Sequence, residues 1–341
     1  MSRAGRLGER PEGSGASIAG VGMAVPEGTL SSDALEDRLG LERGWIRGRT
    51  GIESRHLAGP GETARSLGVA AARAALRSAG IDARAVDHVI VATVTPDFRI
   101  PAAASLIQSS LGCDAAGAFD LNAGCAGFLS GLGQADAMVR AGAARTVLLV
   151  GVDLLSRIVD LSDPKTGILF GDGAGAAVVT AAPEPRLGPF FLRSDGSAPE
   201  HLSASRDGGK VVMAGREVYR RAVQEMTASV LEVTARGRVS LDDVDLVVAH
   251  QANGRIVDAV AERLGLPPTK VFSNIVRYGN TSAASIPIAL TEAHAAGVLR
   301  DDDLAVLTAF GSGFVWGATL VRWAIPSPTD APLAVAGAAS V

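Results

Sequence analysis

Only 4% of the 341 residues are Phe, Trp or Tyr, and only two are cysteine. Cys113 and Cys125 make neither a disulfide framework nor a metal-ligand cluster, so no metal is expected and a reducing cytoplasm is the expected home. A core poor in aromatics must be filled by Val, Leu, Ile and Ala, which suits buried parallel strands closely covered by helices. No apolar run approaches the ~18 residues of a membrane span. The opening stretch MSRAGRLGERPEGSGAS has no apolar segment of the kind a secretory signal needs. There is no basic block either, and the net charge is −4, which argues against nucleic acid as a partner.

What is present is apolar and patterned. Hydrophobic residues make up 47% of the chain and charged residues 20%, enough for a large packed core. The length suits two units of ordinary size. Helical and extended patterns alternate. TARSLGVAAARAALRSAGI has helical periodicity and stops at Gly80; VDHVIVATV is a β-branched run of strand length. AAASLIQSSLG, GAFDL, CAGFLSGLGQADAMVRAG and RTVLLVGVD continue the alternation, which is an α/β signature. Residues 1–16 and 326–341 read as flexible tails.

The pattern repeats. AVDHVIVATVTPD (Ala85–Asp97) matches DVDLVVAHQANGR (Asp243–Arg255) at an offset of roughly 158 residues. TVLLVGVD and LAVLTAFGS match at nearly the same offset, and FGDGAGAAVV resembles FGSGFVWGATLV. Three matches in one order point to an internal duplication, with units 17–183 and 184–325 meeting near the Pro- and Gly-containing TAAPEPRLG. A site at their junction can draw residues from both.

Four segments carry candidate chemistry. Cys125 lies in DLNAGCAGFLSGL, where a strand gives way to a helix. A thiol there feels the helix dipole and free N–H groups, which lower its pKa and raise its reactivity. Ala and Gly neighbours leave room for a substrate. Cys113, in SLGCDAAG, has no such junction and reads as a packed thiol. His250 ends the strand VDLVVAH, as a structural histidine or one facing a cleft. Asn280, in RYGNTSAASIPIAL, suits a helix cap or a site amide. Gly311 and Gly313, in FGSGFVWGA, permit close backbone approach to a ligand, and a Gly N–H is a good oxyanion donor. GDGAGAA lacks the spacing of a phosphate-binding loop and reads as packing.

Together NAGCAGF, VVAHQANGRI, RYGNTSAASIPIAL and AFGSGFVWGATLVRW resemble the signature segments of β-ketoacyl-acyl carrier protein synthase III, of the thiolase superfamily. GWIRGRTGIESRH and FGDGAGAAVV fit as well, so the resemblance runs over roughly Ala16 to Ala324. It implies a five-layered αβαβα fold of two similar halves in a homodimer. It implies Cys125 as nucleophile, with His250 and Asn280 completing the catalytic set. Trp45, Arg49 and Arg157 match positions that hold coenzyme A, and Ile100 one that crosses the dimer interface to close the partner's acyl pocket. The implied reaction is ping-pong: an acyl-CoA acylates Cys125, then a malonyl-acyl carrier protein loses CO2 and condenses with the acyl group. The N–H groups of Cys125 and Gly313 are the candidate oxyanion donors. Neutral His250 and Asn280 suit an enolate, which needs donors without a strong acid. No cofactor is expected, since acyl-CoA is a substrate.

The chain departs from that family at Arg216, where Asn is usual, at Tyr278, where many members have His, and in a short SASRDGGKVVMAG segment. Arg216, Arg220, Arg221, Arg255 and Arg263 are candidates for a basic rim that steers an acidic carrier protein, or are simply solvated helix charges. An acyltransferase acting on an oxygen or nitrogen nucleophile is the alternative; such relatives lose the Asn that is present here as Asn280. A degradative thiolase would need a second cysteine near the C-terminus, where Ser312 stands. A non-catalytic partner subunit would have lost Cys125.

Overall fold

The computed structural model describes residues 15–205 and 208–326. Ten strands form two five-stranded sheets. The first contains β1 (Gly15–Ala24), β2 (His88–Ala92), β3 (Gly117–Leu121), β4 (Thr146–Leu154) and β5 (Asp172–Ala182), in the order β1-β5-β4-β2-β3. The second contains β6 (Leu187–Ser194), β7 (Leu246–Ala249), β8 (Val271–Phe272), β9 (Leu304–Gly311) and β10 (Val315–Arg322), in the order β6-β10-β9-β7-β8. The two orders are the same walk taken twice. Directions agree too: the β2–β4 and β7–β9 pairs are parallel, and β4–β5 and β9–β10 antiparallel. Register agrees as well, with His88 opposite Val147 and Leu246 opposite Ala305.

Helices cover both sheets and fill the space between them. α1 (Ala64–Ala79) and α2 (Ala103–Leu111) pack outside the first sheet. α4 (Gly215–Gly237) and α5 (Gly254–Leu264) pack outside the second. Between the sheets lie α3 (Gly127–Arg140) and α6 (Ser285–Ala295), in a core shared with both. The result is the five-layered αβαβα arrangement of thiolase-like folds. Local sequence explains the helix limits. Thr63 and Ser66 form a reciprocal capping box at the start of α1, and Gly80, at φ 64°, ends it. β4 is buried along its whole length, as a strand covered on both faces must be.

One boundary moves. The first strand starts at Gly15, not after residue 16, and Ala16 is buried opposite Ala181, because the antiparallel pairing of β1 with β5 runs to the end of that strand. The remainder of the expected N-terminal tail, residues 1–14, and residues 327–341 lie outside the described residues. The chain crosses from one sheet to the other through residues 183–186.

Candidate active site

A cavity of about 1540 Å³ opens at the seam between the sheets, where strand ends from both converge. Cys125, His250, Asn280 and Gly313 all line it, as do Arg49 and Ile100. Segments far apart in sequence are brought together by backbone contact. A Cβ at Gly311 would lie 2.5 Å from the Cys125 nitrogen, and one at Gly124 (φ 52°) 2.5 Å from Ser312 Oγ. Glycine at both positions is what lets the β9–β10 turn press against the nucleophile's own turn.

Cys125 sits in a 3-10 turn, Gly124–Ala126, that leads into α3. It is open to the cavity but otherwise enclosed by protein. The expected lowering of its pKa is not found. Burial, reinforced by the nearby Asp153 carboxylate, pushes the thiol up to about 11 and outweighs the hydrogen bonds that oppose it. The resting nucleophile is therefore a thiol.

His250 follows β7 and is buried, which drives its pKa down to about 3. It is a neutral imidazole, and the Ser285 hydroxyl determines its tautomer. Ser285 Oγ lies 2.6 Å from His250 Nδ1 and accepts the Gln251 N–H at 3.3 Å. Among the described residues, Nδ1 is the acceptor within reach of the Ser285 hydrogen. The ring proton is then on Nε2, which has no partner among the described residues and is left to donate to what enters the cavity.

Asn280 is oriented by a similar logic. Its backbone N–H donates to Leu169 and its carbonyl accepts from Gly171, so the residue is held on both sides. Its side-chain Oδ1 accepts the Ser282 N–H at 2.9 Å. Oδ1 is thus the capping atom, and the amide NH2 remains as a donor for the cavity. The cap and site readings of Asn280 both hold, one on each half of the amide.

The other expected residues divide. Arg49 lines the cavity with its guanidinium 4.3 Å from the Trp45 ring centre, so Trp45 acts as a platform beneath it. Arg157 lies off the cavity lining: it pairs with Asp97 at 3.2 Å and donates to the Glu62 carbonyl, and Lys165 is the nearby cation that does line the cavity. Arg221 is turned inward against Asp195 at 2.8 Å and over the Phe314 ring, which removes it from an exposed rim. Arg220 pairs with Glu217. Arg255 is exposed beside Tyr219, and Arg216 and Arg263 border a shallow depression with Arg220. Tyr278 takes no part in the lining; its hydroxyl donates to Glu292 and its ring stacks on His56. The short segment Ser203–Gly215 folds its described ends into a ribbon at the cavity wall. Cys113 is buried in the outer core as expected. Ser285 is a site residue that the sequence does not mark: it is one small residue at a helix start, and only the fold sets its hydroxyl against His250.

A thiol facing two neutral N–H donors, on a five-layered fold, defines an acyltransferase of the thiolase type. The family model for 3-oxoacyl-[acyl-carrier-protein] synthase III matches residues 119–196, and the model for its C-terminal region residues 234–323. Over 90% of its length the chain is 46% identical to the beta-ketoacyl-[acyl-carrier-protein] synthase III of Roseiflexus sp., covering 98% of that protein. It therefore belongs to the β-ketoacyl-[acyl-carrier-protein] synthase III family. Among solved structures it resembles the 3-oxoacyl-[acyl-carrier-protein] synthase III of Aquifex aeolicus (TM-score 0.88, 42% identity, 91% of this chain and 100% of that one). It also resembles the priming β-ketosynthase of a polyketide biosynthetic pathway (TM-score 0.90, 35% identity, 94% of this chain and 99% of that one).

Proposed function

We propose that the protein starts fatty acid or polyketide chains by condensing an acyl-CoA with a malonyl-acyl carrier protein. The observation that carries this reading is the pairing of one thiol with two uncharged donors around a single cavity. A soft sulfur suits thioester exchange. In the first half-reaction Cys125 Sγ attacks the acyl-CoA carbonyl and releases CoA, with the Cys125 and Gly313 N–H groups as oxyanion donors. In the second, the malonyl thioester loses CO2, and the enolate oxygen is held by His250 Nε2–H and the Asn280 amide. Neither donor is acidic enough to quench the enolate, which attacks the acyl carbon and forms the carbon–carbon bond. These steps call on no metal or redox cofactor. Arg49, on its Trp45 platform, and Lys165 are positioned for the phosphates of CoA, and Arg255 and Arg216 for an acidic carrier. Among the described residues no helix is long and apolar enough to cross a membrane; with two free thiols, the cytoplasm is the proposed site of action.

The test is product formation. With labelled acyl-CoAs and malonyl-acyl carrier protein, the protein should release one CO2 and one CoA per 3-oxoacyl product. Esters or amides formed without CO2 would point to the other acyltransferase chemistry.

We propose further that the working form is a homodimer. Among the described residues β3 is an edge strand paired only with β2, and it carries the partly exposed Phe119. Beside it Phe98 is 57% and Ile100 86% exposed, although Ile100 also lines the cavity. An open apolar edge is a template for a second copy. Phe119→Lys is expected to convert a dimer to a monomer by light scattering; a native protein that is monomeric at micromolar concentration would end this proposal.

A further inference from the structure

Glu36 is fully buried, and no step of the reaction uses its carboxylate. It stands in the helix Ser32–Leu39 and reaches across to the short helix Trp45–Thr50. There Oε1 accepts the Ile46 N–H at 2.7 Å and Oε2 accepts the Gly44 N–H at 2.9 Å. The two oxygens bracket Trp45, whose own N–H donates to the Glu42 carbonyl at 3.1 Å. The backbone is thus held at each residue from Gly44 to Ile46. Arg55, also buried, supplies a nearby opposite charge, but its N–H groups donate to Leu30, Ser32 and Ile168. The Glu36 carboxylate is left to the backbone of the Trp45 turn.

A carboxylate fits this arrangement and an amide does not. Two N–H donors meet two oxygens, one each, and an ionised carboxylate has no hydrogen to set against either. Hydrogen bonds to an ionised acceptor are also stronger than neutral ones. What they fix is the base of the Trp45–Arg49 platform. Arg49 follows Trp45 by four residues, so it lies one turn further along the same helix face. Arg47 between them pairs with Glu53 at 2.9 Å, whereas Arg49 pairs with no carboxylate among the described residues. A cation without an acidic partner and an aromatic face therefore stand together at the cavity, a combination suited to the phosphates and base of a nucleotide.

We propose that Glu36 is a positioning residue for the nucleotide end of coenzyme A, acting through Trp45 and Arg49. This rests on the condensing function proposed above. With the carboxylate in place, the Gly44–Ile46 turn is fixed before CoA arrives and needs no ordering on binding. An amide at position 36 could accept one of the two N–H groups and would turn its own hydrogens on the other. The turn would then shift, and Trp45 and Arg49 with it. Cys125 and its oxyanion donors lie on other segments, so the sulfur chemistry would be left as it is. The loss should appear only with acyl donors that carry the nucleotide.

The experiment compares acetyl-CoA with acetyl-pantetheine as acyl donors, reading Cys125 acylation in single turnover by intact mass. If another short acyl group labels the native protein first, its two thioesters are used instead. The native protein should react faster with the CoA thioester. Glu36→Gln should raise the half-saturating acetyl-CoA concentration about tenfold and keep the maximal acylation rate within about twofold. Its second-order rate with acetyl-pantetheine should stay within about twofold of native. In a Trp45→Ala background the same change should add less than about twofold, because the platform is already gone. A half-saturating concentration within about twofold of native overturns the proposal. So does an equal loss with both donors, the mark of a merely structural residue, or an undiminished effect without Trp45, or a native protein with no preference for CoA. Should Glu36→Gln not fold, Glu36→Asp takes its place: it keeps the charge but is one methylene too short to reach both N–H groups. If neither variant folds, Glu36 serves folding and the proposal falls. A native protein that takes no acyl group from any acyl-CoA removes the condensing function itself, a result separate from these.

Discussion

Cys125→Ala is expected to leave the protein unable to carry an acyl group and to lower condensation by about 10⁴-fold or more. Nothing else in the cavity can stand in. Ser282 and Ser312 also line it, but a serine alkoxide would need far more activation than a thiolate. Cys113 is buried in the outer core, on the far side of the first sheet. The variant should fold normally, because Cys125 faces the cavity and its loss leaves no hole in a packed core. The measurement is intact mass after incubation with labelled acyl-CoA, with peptide mapping to locate the adduct. An adduct of undiminished yield in Cys125→Ala would move the nucleophile elsewhere and dissolve the site as drawn.

Asn280→Ala is expected to separate the two half-reactions. The Asn280 amide is aimed at the enolate, so CO2 release from the malonyl thioester should fall by about 10²–10³-fold, the usual cost of removing one donor to a developing oxyanion. Acylation should persist within about tenfold, because the sulfur and its oxyanion donors stay in place. Truncation also frees the Ser282 N–H, which Asn280 Oδ1 now holds. Asn280→Asp tests that effect: it keeps the acceptor for Ser282 but replaces the donating amide with a negative charge. It should repel the enolate and be at least as slow in decarboxylation as the alanine variant. Normal CO2 release in either variant would reassign the enolate donors.

Much of this was legible because the key residues stand where a pattern breaks. Cys125, His250 and Asn280 each follow an apolar run or a Gly-permitted turn, and strand ends in α/β folds gather at clefts. The repeat of similar segments was legible too, because aliphatic runs mark buried strands whatever surrounds them; the order of the strands in each sheet was not. Side-chain direction was not. Arg157 and Lys165 lie on one connecting segment, and only the fold decides that the first pairs with Asp97 while the second faces the cavity. Arg221 looks like any helix-surface arginine until Asp195 and Phe314 are found beneath it. The thiol's pKa is a tertiary property: the helix that follows Cys125 is visible in the sequence, but the enclosure that outweighs it is built in part by the distant Gly311–Ser312 turn pressed against it. Ser285 was hidden by its size, since a small residue at a helix start is ordinary and only its neighbour His250 gives the hydroxyl work.

The division of the site across the 183–186 crossing has a kinetic meaning. Each sheet draws all its strands from one side of that crossing, so each can assemble from its own stretch of chain. The nucleophile belongs to the earlier stretch and both enolate donors to the later one. Contacts between such distant segments carry the largest loop-closure cost and form late. During refolding, helical signal should return before the ability to take up an acyl group. During synthesis, a chain released before Asn280 has emerged would hold a complete first sheet and a thiol with nothing to face.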